Sequence, residues 1–387
     1  MLSSNPSPLS LPTPGPEALR LSEQLAELVG REIMRAGGWI DFSRYMELAL
    51  YAPGLGYYSA GSAKLGSAGD FMTAPELSAA LAKAFATTLA AELDAVGVAE
   101  VLELGAGSGA LAEQLIDALR ILGYDVHYRI LEPSADLRER QQQRLERFAP
   151  RVTWLDALPQ VPFAGVIVAN EVLDALPVSR FVKSSGVVRA LGVAAGSEGF
   201  EWREGSAPAA LADAVAQIER SLGAPLPDGY RSESCLVLPV WLATLARALE
   251  RGCLLFADYG LVRSEYYHEQ RTDGTLVCHY RHRAHTDPFV YPGLQDITAW
   301  VDFSACSDAA RAAGLTVAGF TTQAQYLLGA LTMAPASLAL DMTSPREQSA
   351  LKTLILPGEM GERFKILLLR RGYTGAPLPG RDFRPRL

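Results

Sequence analysis

The spacing of apolar residues changes twice along this chain, and each change marks a different kind of structure. Over 16–35, Leu21, Leu25, Leu28, Val29 and Ile33 recur at the helical interval. Pro16 suits the first turn of that helix, and Gly37-Gly38 suits its end. A second short helix is expected over 41–50, with Asp41 near its cap. A loop rich in Gly and Tyr follows over 51–69, then a helix over 75–93. Residues 17–97 are therefore expected to form a helical lobe holding a Gly-rich loop, behind a disordered Pro- and Ser-rich tail at 1–16.

From 98 onward, short apolar runs alternate with helical patterns. Strands are expected over 99–104, 126–131, 152–154 and 165–169, with helices over 110–122 and 134–148. Strands separated by helices of this length predict an α/β fold with a parallel, doubly wound, Rossmann-like sheet. After Pro177 the alternation breaks into short strands over 180–204, with turns at Gly186, Gly192, Gly196 and Gly199, and a helix over 208–222. It resumes with a helix at 240–250 and a strand at 253–257. A second interruption covers 259–298, and a helix at 300–313 and strands at 315–321 and 364–369 follow. The expected organisation is a core over 98–373 with insertions at about 178–235 and 259–298, and a tail at 374–387. The second insertion is dense in Tyr, His, Arg and Gly and too long for a plain connection, so it reads as a functional lid.

Charge and composition narrow the picture. A formal charge of -8 argues against general nucleic-acid binding, which needs a basic field. No apolar run approaches the roughly 18 residues of a membrane span, so no membrane insertion is expected. Cys235, Cys253, Cys278 and Cys306 form no CxxC pair, which favours a reducing compartment. No Lys or Arg precedes Arg20, so a signal or transit peptide is not expected, and the location is expected to be cytoplasmic.

The candidate chemistry gathers at strand ends. The strand ending at Leu104 runs into Gly105-Ala106-Gly107-Ser108-Gly109 and then a helix, the arrangement that lets backbone N–H groups approach a nucleotide-type cofactor. With Ala110 the string also fits G-x-G-x-x-A, so an NAD-dependent oxidoreductase stays open at this point. Glu103 favours S-adenosylmethionine: a carboxylate beside the glycines would help receive a zwitterionic amino-acid tail and would repel a pyrophosphate. Glu132, 27 residues after Gly105, is placed to bind a ribose diol, or else feeds a helix cap. Asp156, with Ala157 beside it, is placed to hold an adenine amino group, or is a surface turn. Asp70 and Thr73 either close over the cofactor or cap a helix. Asn170 and Glu171 follow apolar Val166-Ile167-Val168 and are expected at the ligand edge of the sheet, with Asn170 counted toward cofactor and substrate alike. Asp174 reads as a second carboxylate or a helix cap, and Asp258 as a substrate-facing group or a turn. Cys278, His279, His282 and His285 with Asp287 have an imperfect metal spacing. The preferred reading is a polar lid, in which Arg281, His282, Arg283, Gln295 and Asp296 hydrogen-bond each other and the substrate, with no metal.

Several strings together resemble the MidA-like methyltransferase family. They are Tyr51-Ala-Pro-Gly-Leu-Gly-Tyr-Tyr58, Gly69-Asp-Phe-Met-Thr-Ala-Pro-Glu76, Glu103-Leu-Gly-Ala-Gly-Ser-Gly109, Asn170-Glu-Val-Leu-Asp-Ala-Leu-Pro177, Gly274-Thr-Leu-Val-Cys-His-Tyr-Arg-His-Arg283, Gly293-Leu-Gln-Asp-Ile-Thr298 and Pro357-Gly-Glu-Met-Gly361. The resemblance spans about 38–370. It implies a class I methyltransferase fold with S-adenosyl-L-methionine as cofactor. From the family's mitochondrial complex I assembly factor it implies symmetric dimethylation of an arginine on a complex I subunit. The implied partner is a protein substrate, an NADH dehydrogenase subunit, and a homodimer is compatible with this reading. A guanidinium stays protonated, so carboxylates must orient it. Glu171 is the first choice, Asp174 or Asp258 the second, with Asn170 accepting an N–H and His282 taking the released proton. Rival readings are a small-molecule methyltransferase, an oxidoreductase and a non-enzymatic assembly factor.

Overall fold

The structure, a computed structural model, describes residues 11–59 and 73–387. Among these the chain divides into two compact units. A core unit takes 73–173, 239–261 and 301–387, and an accessory unit takes 11–59, 174–238 and 262–300.

The core unit is built on the strands β1 (Glu100–Leu104), β2 (His127–Leu131), β3 (Val152–Leu155), β4 (Phe163–Asn170), β5 (Leu249–Leu261), β6 (Thr316–Thr322) and β7 (Phe364–Arg371). They lie side by side in the order β3-β2-β1-β4-β5-β7-β6. All neighbours from β3 to β5 are parallel, and β7 runs antiparallel to both β5 and β6. The chain winds outward through β2 and β3, then returns to the far side of β1 as β4. The strand order therefore reverses between β1 and β4, where a ligand crevice forms in open α/β sheets. The register aligns the carboxyl ends there: Leu104 pairs with Leu131 and with Ala169, and Ala257 pairs with Asn170. This is the expected α/β class with a doubly wound sheet.

Alternation within the strands sets which side chains enter the core. Val101, Tyr128, Val166, Val168, Leu255, Ile366 and Leu368 share one buried cluster with Leu81 and Phe85 of α1 (Ala80–Val96) and Leu111 and Leu115 of α2 (Ala110–Ile121). The expected helix at 75–93 is broken in two. A short helix, Ala74–Leu77, precedes α1, and extended Ser78 lies between them with its Oγ accepting from the Ala80 N–H at 3.0 Å. The expected strand 253–257 extends to the 13 residues of β5, held by β4 on one side and β7 on the other. The expected helix at 300–313 begins instead at Phe303, where Asp302 accepts the Ala305 N–H at 3.1 Å as its cap. The segment after 373 lies along β6: Leu378 is buried over Gly319, and the Phe383 N–H donates to the Phe320 carbonyl at 2.7 Å.

The accessory unit joins two helices, Pro16–Arg35 and Phe42–Tyr51, with two antiparallel sheets. Asp41 caps the second helix through the Ser43 N–H at 2.8 Å. The larger sheet orders Ile40–Asp41, Val187–Ala195, Ser179–Ser184 and Arg231–Ser234, with Phe200–Ser206 also paired to Val187–Ala195. The smaller orders Arg283–His285, Val277–Tyr280 and Asp296–Thr298. Aromatic rings pack against the core of this unit: Phe42 on Trp202 and Trp202 on Phe289, each with ring centroids 4.9 Å apart.

Candidate active site

β1 leads into a loop that only glycine fits well. Gly105, Gly107 and Gly109 have φ of 60, 55 and 80°, the left-handed region where a side chain is strained. The Gly105 N–H donates to the Leu131 carbonyl at 3.0 Å, which ties the loop to the end of β2. Gly109 is the N-cap of α2, so the loop ends at a helix N-terminus with its positive partial charge. Ala106 is buried within the loop. Ser108 donates its hydroxyl to Glu76, and Arg144 donates to the Ser108 Oγ at 3.1 Å and to Glu113 at 2.8 Å.

Glu132 stands at the end of β2 and is almost wholly buried. Its Oε1 accepts the Ser134 N–H at 3.0 Å, and its Oε2 accepts Nε2 of Gln141 at 3.0 Å. Burial pushes this carboxyl up, against hydrogen bonds from Ser134, Gln141 and Gly107 that favour the ionised form. The glycine turn, the helix N-terminus and this carboxylate fit a nucleoside carrying a charged amino-acid tail.

Glu103 lies beneath the loop rather than facing open space. It is 2% exposed and accepts the Tyr128 hydroxyl at 2.7 Å. Burial, with Glu132 adding to it, raises its pKa to about 8, so at neutral pH the free protein holds most of this group as the acid. Asp156 is exposed at the end of β3 with Ala157 beside it, and Arg138 donates to its Oδ1 at 2.7 Å. Thr73 is the N-cap residue of Ala74–Leu77 but makes no side-chain cap bond. Asp70 lies outside the described residues.

At the end of β4, Asn170 donates its amide to Glu171 Oε1 at 3.0 Å, while its Oδ1 is buried with no hydrogen-bond partner among the described residues. Glu171 has φ 54°, and its N–H donates to the Ala257 carbonyl of β5 at 2.9 Å. A left-handed glutamate costs roughly 1–3 kcal/mol, and such strain persists only where the surroundings enforce it. Asp258 holds the backbone that follows. Its Oδ2 accepts the N–H groups of Val172 at 3.1 Å and Leu173 at 2.8 Å, and its Oδ1 accepts the Tyr259 N–H at 2.9 Å. Read from sequence as a substrate-facing group or a turn residue, Asp258 lies within β5, buried and engaged with backbone.

The other expected catalytic residues belong to the accessory unit. Asp174 is buried there, and its carbonyl accepts the Ala299 N–H at 3.1 Å. His282 and Arg281, with φ of 61 and 47°, form the exposed two-residue turn of the hairpin that joins Val277–Tyr280 to Arg283–His285. Cys278 and His285 are cross-strand neighbours, which leaves His282 at the tip. Among the described residues, no three His, Cys, Asp or Glu side chains gather as a metal site. Burial lowers the pKa of both His279 and His285, favouring neutral rings. The expected mutual bonding of the polar lid is corrected at Gln295, whose Nε2 donates to the backbone carbonyls of Pro288 at 2.9 Å and Val290 at 2.6 Å.

Sequence reasoning missed Gln141, Ser108, Glu76 and Arg144. For Gln141 a signal exists: it stands four residues from both Leu137 and Leu145, on the inward face of an otherwise polar helix.

A family model for S-adenosyl-L-methionine-dependent methyltransferases matches residues 80–321. The chain is similar to the crystal structure of a Burkholderia thailandensis protein bound to S-adenosylhomocysteine, with a TM-score of 0.87, 45% identity, and coverage of 96% of this chain and 99% of that one. It is 29% identical to a Drosophila melanogaster protein named "Protein arginine methyltransferase NDUFAF7 homolog, mitochondrial", over 95% of this chain and 90% of the relative. The Homo sapiens protein arginine methyltransferase NDUFAF7 is 28% identical over 87% of this chain and 81% of its own length. These relatives are named as mitochondrial, which overturns the expected cytoplasmic location.

Proposed function

The chain belongs to the family of S-adenosyl-L-methionine-dependent methyltransferases, and from that premise we propose that it methylates an arginine of a protein substrate. The observation that carries the reading is the strained glutamate at the sheet's switch point, in a chain whose near-full-length relatives are named protein arginine methyltransferases. The resemblance to the complex I assembly family makes a subunit of respiratory NADH dehydrogenase the substrate to test first.

S-adenosyl-L-methionine supplies an electrophilic methyl on a sulfonium. The protein's part is to hold a guanidinium nitrogen in line with it and to make that nitrogen nucleophilic. The Glu171 carboxylate pairs with the guanidinium and draws its positive charge away from the reacting nitrogen. The buried Asn170 Oδ1 is an acceptor for one guanidinium N–H. As the N–CH3 bond forms, the S–CH3 bonding pair stays on the sulfur of S-adenosylhomocysteine, the attacking nitrogen passes one proton to the Glu171 carboxylate and from there to water, and the product guanidinium keeps its charge. Asp258 acts through the backbone, holding Glu171 in its left-handed conformation. His282, at an exposed hairpin tip, has no part in the proposed step, and neither does Asp174.

The test is methyl transfer from labelled S-adenosylmethionine to purified NADH dehydrogenase subunits, with the modified residue located by mass spectrometry. Methyl-arginine on one subunit, absent with Glu171→Gln, is the expected result. Label on a small molecule or on a residue other than arginine would overturn the reading.

A further inference from the structure

The most polar helix of the core unit, α3 (Ala135–Leu145), turns one glutamine inward. Its buried face consists of Leu137, Gln141 and Leu145, and Gln141 is 0% exposed. A primary amide is costly to bury unless both ends are bonded. Here both are. Nε2 donates one hydrogen to the Gly107 carbonyl at 2.9 Å and the other to Glu132 Oε2 at 3.0 Å. Oε1 accepts the Trp154 indole N–H at 2.9 Å. The partners come from three separate segments: the glycine loop after β1, the end of β2, and β3.

We propose that Gln141 is a positioning residue for the cofactor, fixing the distance between the glycine loop and the Glu132 carboxylate before S-adenosylmethionine arrives. The two N–H bonds of a planar amide diverge at a fixed angle, so its two acceptors cannot move independently. The Trp154 indole holds the amide the right way round, because only the oxygen can accept from it. Glu132 is thereby kept in one rotamer with one lone-pair direction assigned. Gly107, which has no side chain of its own to hold it, gains a tether on its carbonyl. Preorganisation of this kind raises affinity by removing the cost of ordering the site on binding. The inference rests on membership of the methyltransferase family and is independent of which substrate is methylated.

The test uses titration calorimetry of the full-length protein with S-adenosylhomocysteine, on Gln141→Met, Glu132→Gln and the double variant. Loss of a charge-assisted hydrogen bond predicts about a tenfold weaker Kd for Gln141→Met. The same substitution in the Glu132→Gln background is expected to cost less than about threefold, because the two residues act as one unit. In turnover assays, the KM for S-adenosylmethionine rises by more than kcat falls. Additive losses in the cycle, or an unchanged Kd in Gln141→Met, overturn the proposal. If Gln141→Met does not fold, Gln141→Glu keeps the volume and the Trp154 acceptor while setting a second carboxylate against Glu132. It is expected to weaken S-adenosylhomocysteine by about tenfold or more at pH 8, and wild-type affinity in that variant overturns the idea equally.

Discussion

At one edge of the core sheet, the ends of β1 to β3 and the end of β4 carry opposite kinds of polar group. On the first side the polar atoms bond to one another. Glu132 accepts from Ser134 and Gln141, Gln141 uses both ends of its amide, and Glu103 is sealed against Tyr128. On the second side Asn170 keeps a buried acceptor without a partner among the described residues, and Glu171 is held in a conformation that costs energy. A site that must hold the same molecule every cycle gains from being complete in advance. A site that must recognise a charged side chain in transit gains from an acceptor that is satisfied only when it is present. The contrast supports the proposed reading, in which the first side holds the cofactor and the second receives the substrate.

Four substitutions break or sharpen this contrast. The largest effect is expected from Glu171→Gln, which should lower kcat by about 10²–10³-fold, a loss of the size seen when one preorganised electrostatic group is removed. S-adenosylhomocysteine affinity, read by calorimetry, should stay within about twofold, and joint loss of both would erase the distinction between the two sides. Next is Gly107→Val on the cofactor side: a branched residue at φ 55° distorts the turn. It should weaken S-adenosylhomocysteine by about a hundredfold, the equivalent of the strain it introduces. Asp258→Asn leaves one carbonyl oxygen where Val172, Leu173 and Tyr259 now share two carboxylate oxygens. It should cut kcat by about tenfold through a loosened Glu171, with cofactor affinity retained. Equal loss of affinity would show that Asp258 serves both sides.

The smallest effect concerns pH. Glu103 binds its proton more tightly in the folded protein than in the unfolded chain, about 8 against an ordinary 4.5. Its contribution to stability is therefore fully present below the lower value and lost as the pH climbs through the upper one. Glu103→Gln removes this dependence. Between about pH 5 and about pH 9 the melting temperature of the wild type should fall relative to the variant by roughly 3 °C or more, since each kcal/mol is worth a few degrees in a chain of this size. Parallel curves would show that Glu103 is ionised throughout.

The strand–glycine–helix unit at Val101–Ala110 was legible because its chemistry is local: an apolar run, residues that tolerate positive φ, then a helical pattern. Glu132 and Asn170 were legible by position, as polar residues ending apolar strands. The position of Asp258 was legible in the same way, but its use was not. Its partners are backbone N–H groups, which every residue carries, so no spacing reveals them. Gln141 was hidden by a run of Arg, Glu and Gln whose average polarity masked a four-residue period. His282 drew attention through its residue type, yet it occupies a hairpin turn of Arg and His with no Asn or Gly to announce the left-handed conformation. Nor does any local pattern in 364–371 say that this strand lies antiparallel between β5 and β6.

The strip of chain after 373 has a consequence for handling the protein. β6 is the outermost strand of its sheet, and the N–H of Phe383 and the guanidinium of Arg384 occupy its Phe320 and Val317 carbonyls. A protein trimmed before Leu378 would lose that sheath and offer a bare ladder of carbonyls and amides to any passing strand. Its first symptom would be clumping on concentration, before any change in methyl transfer.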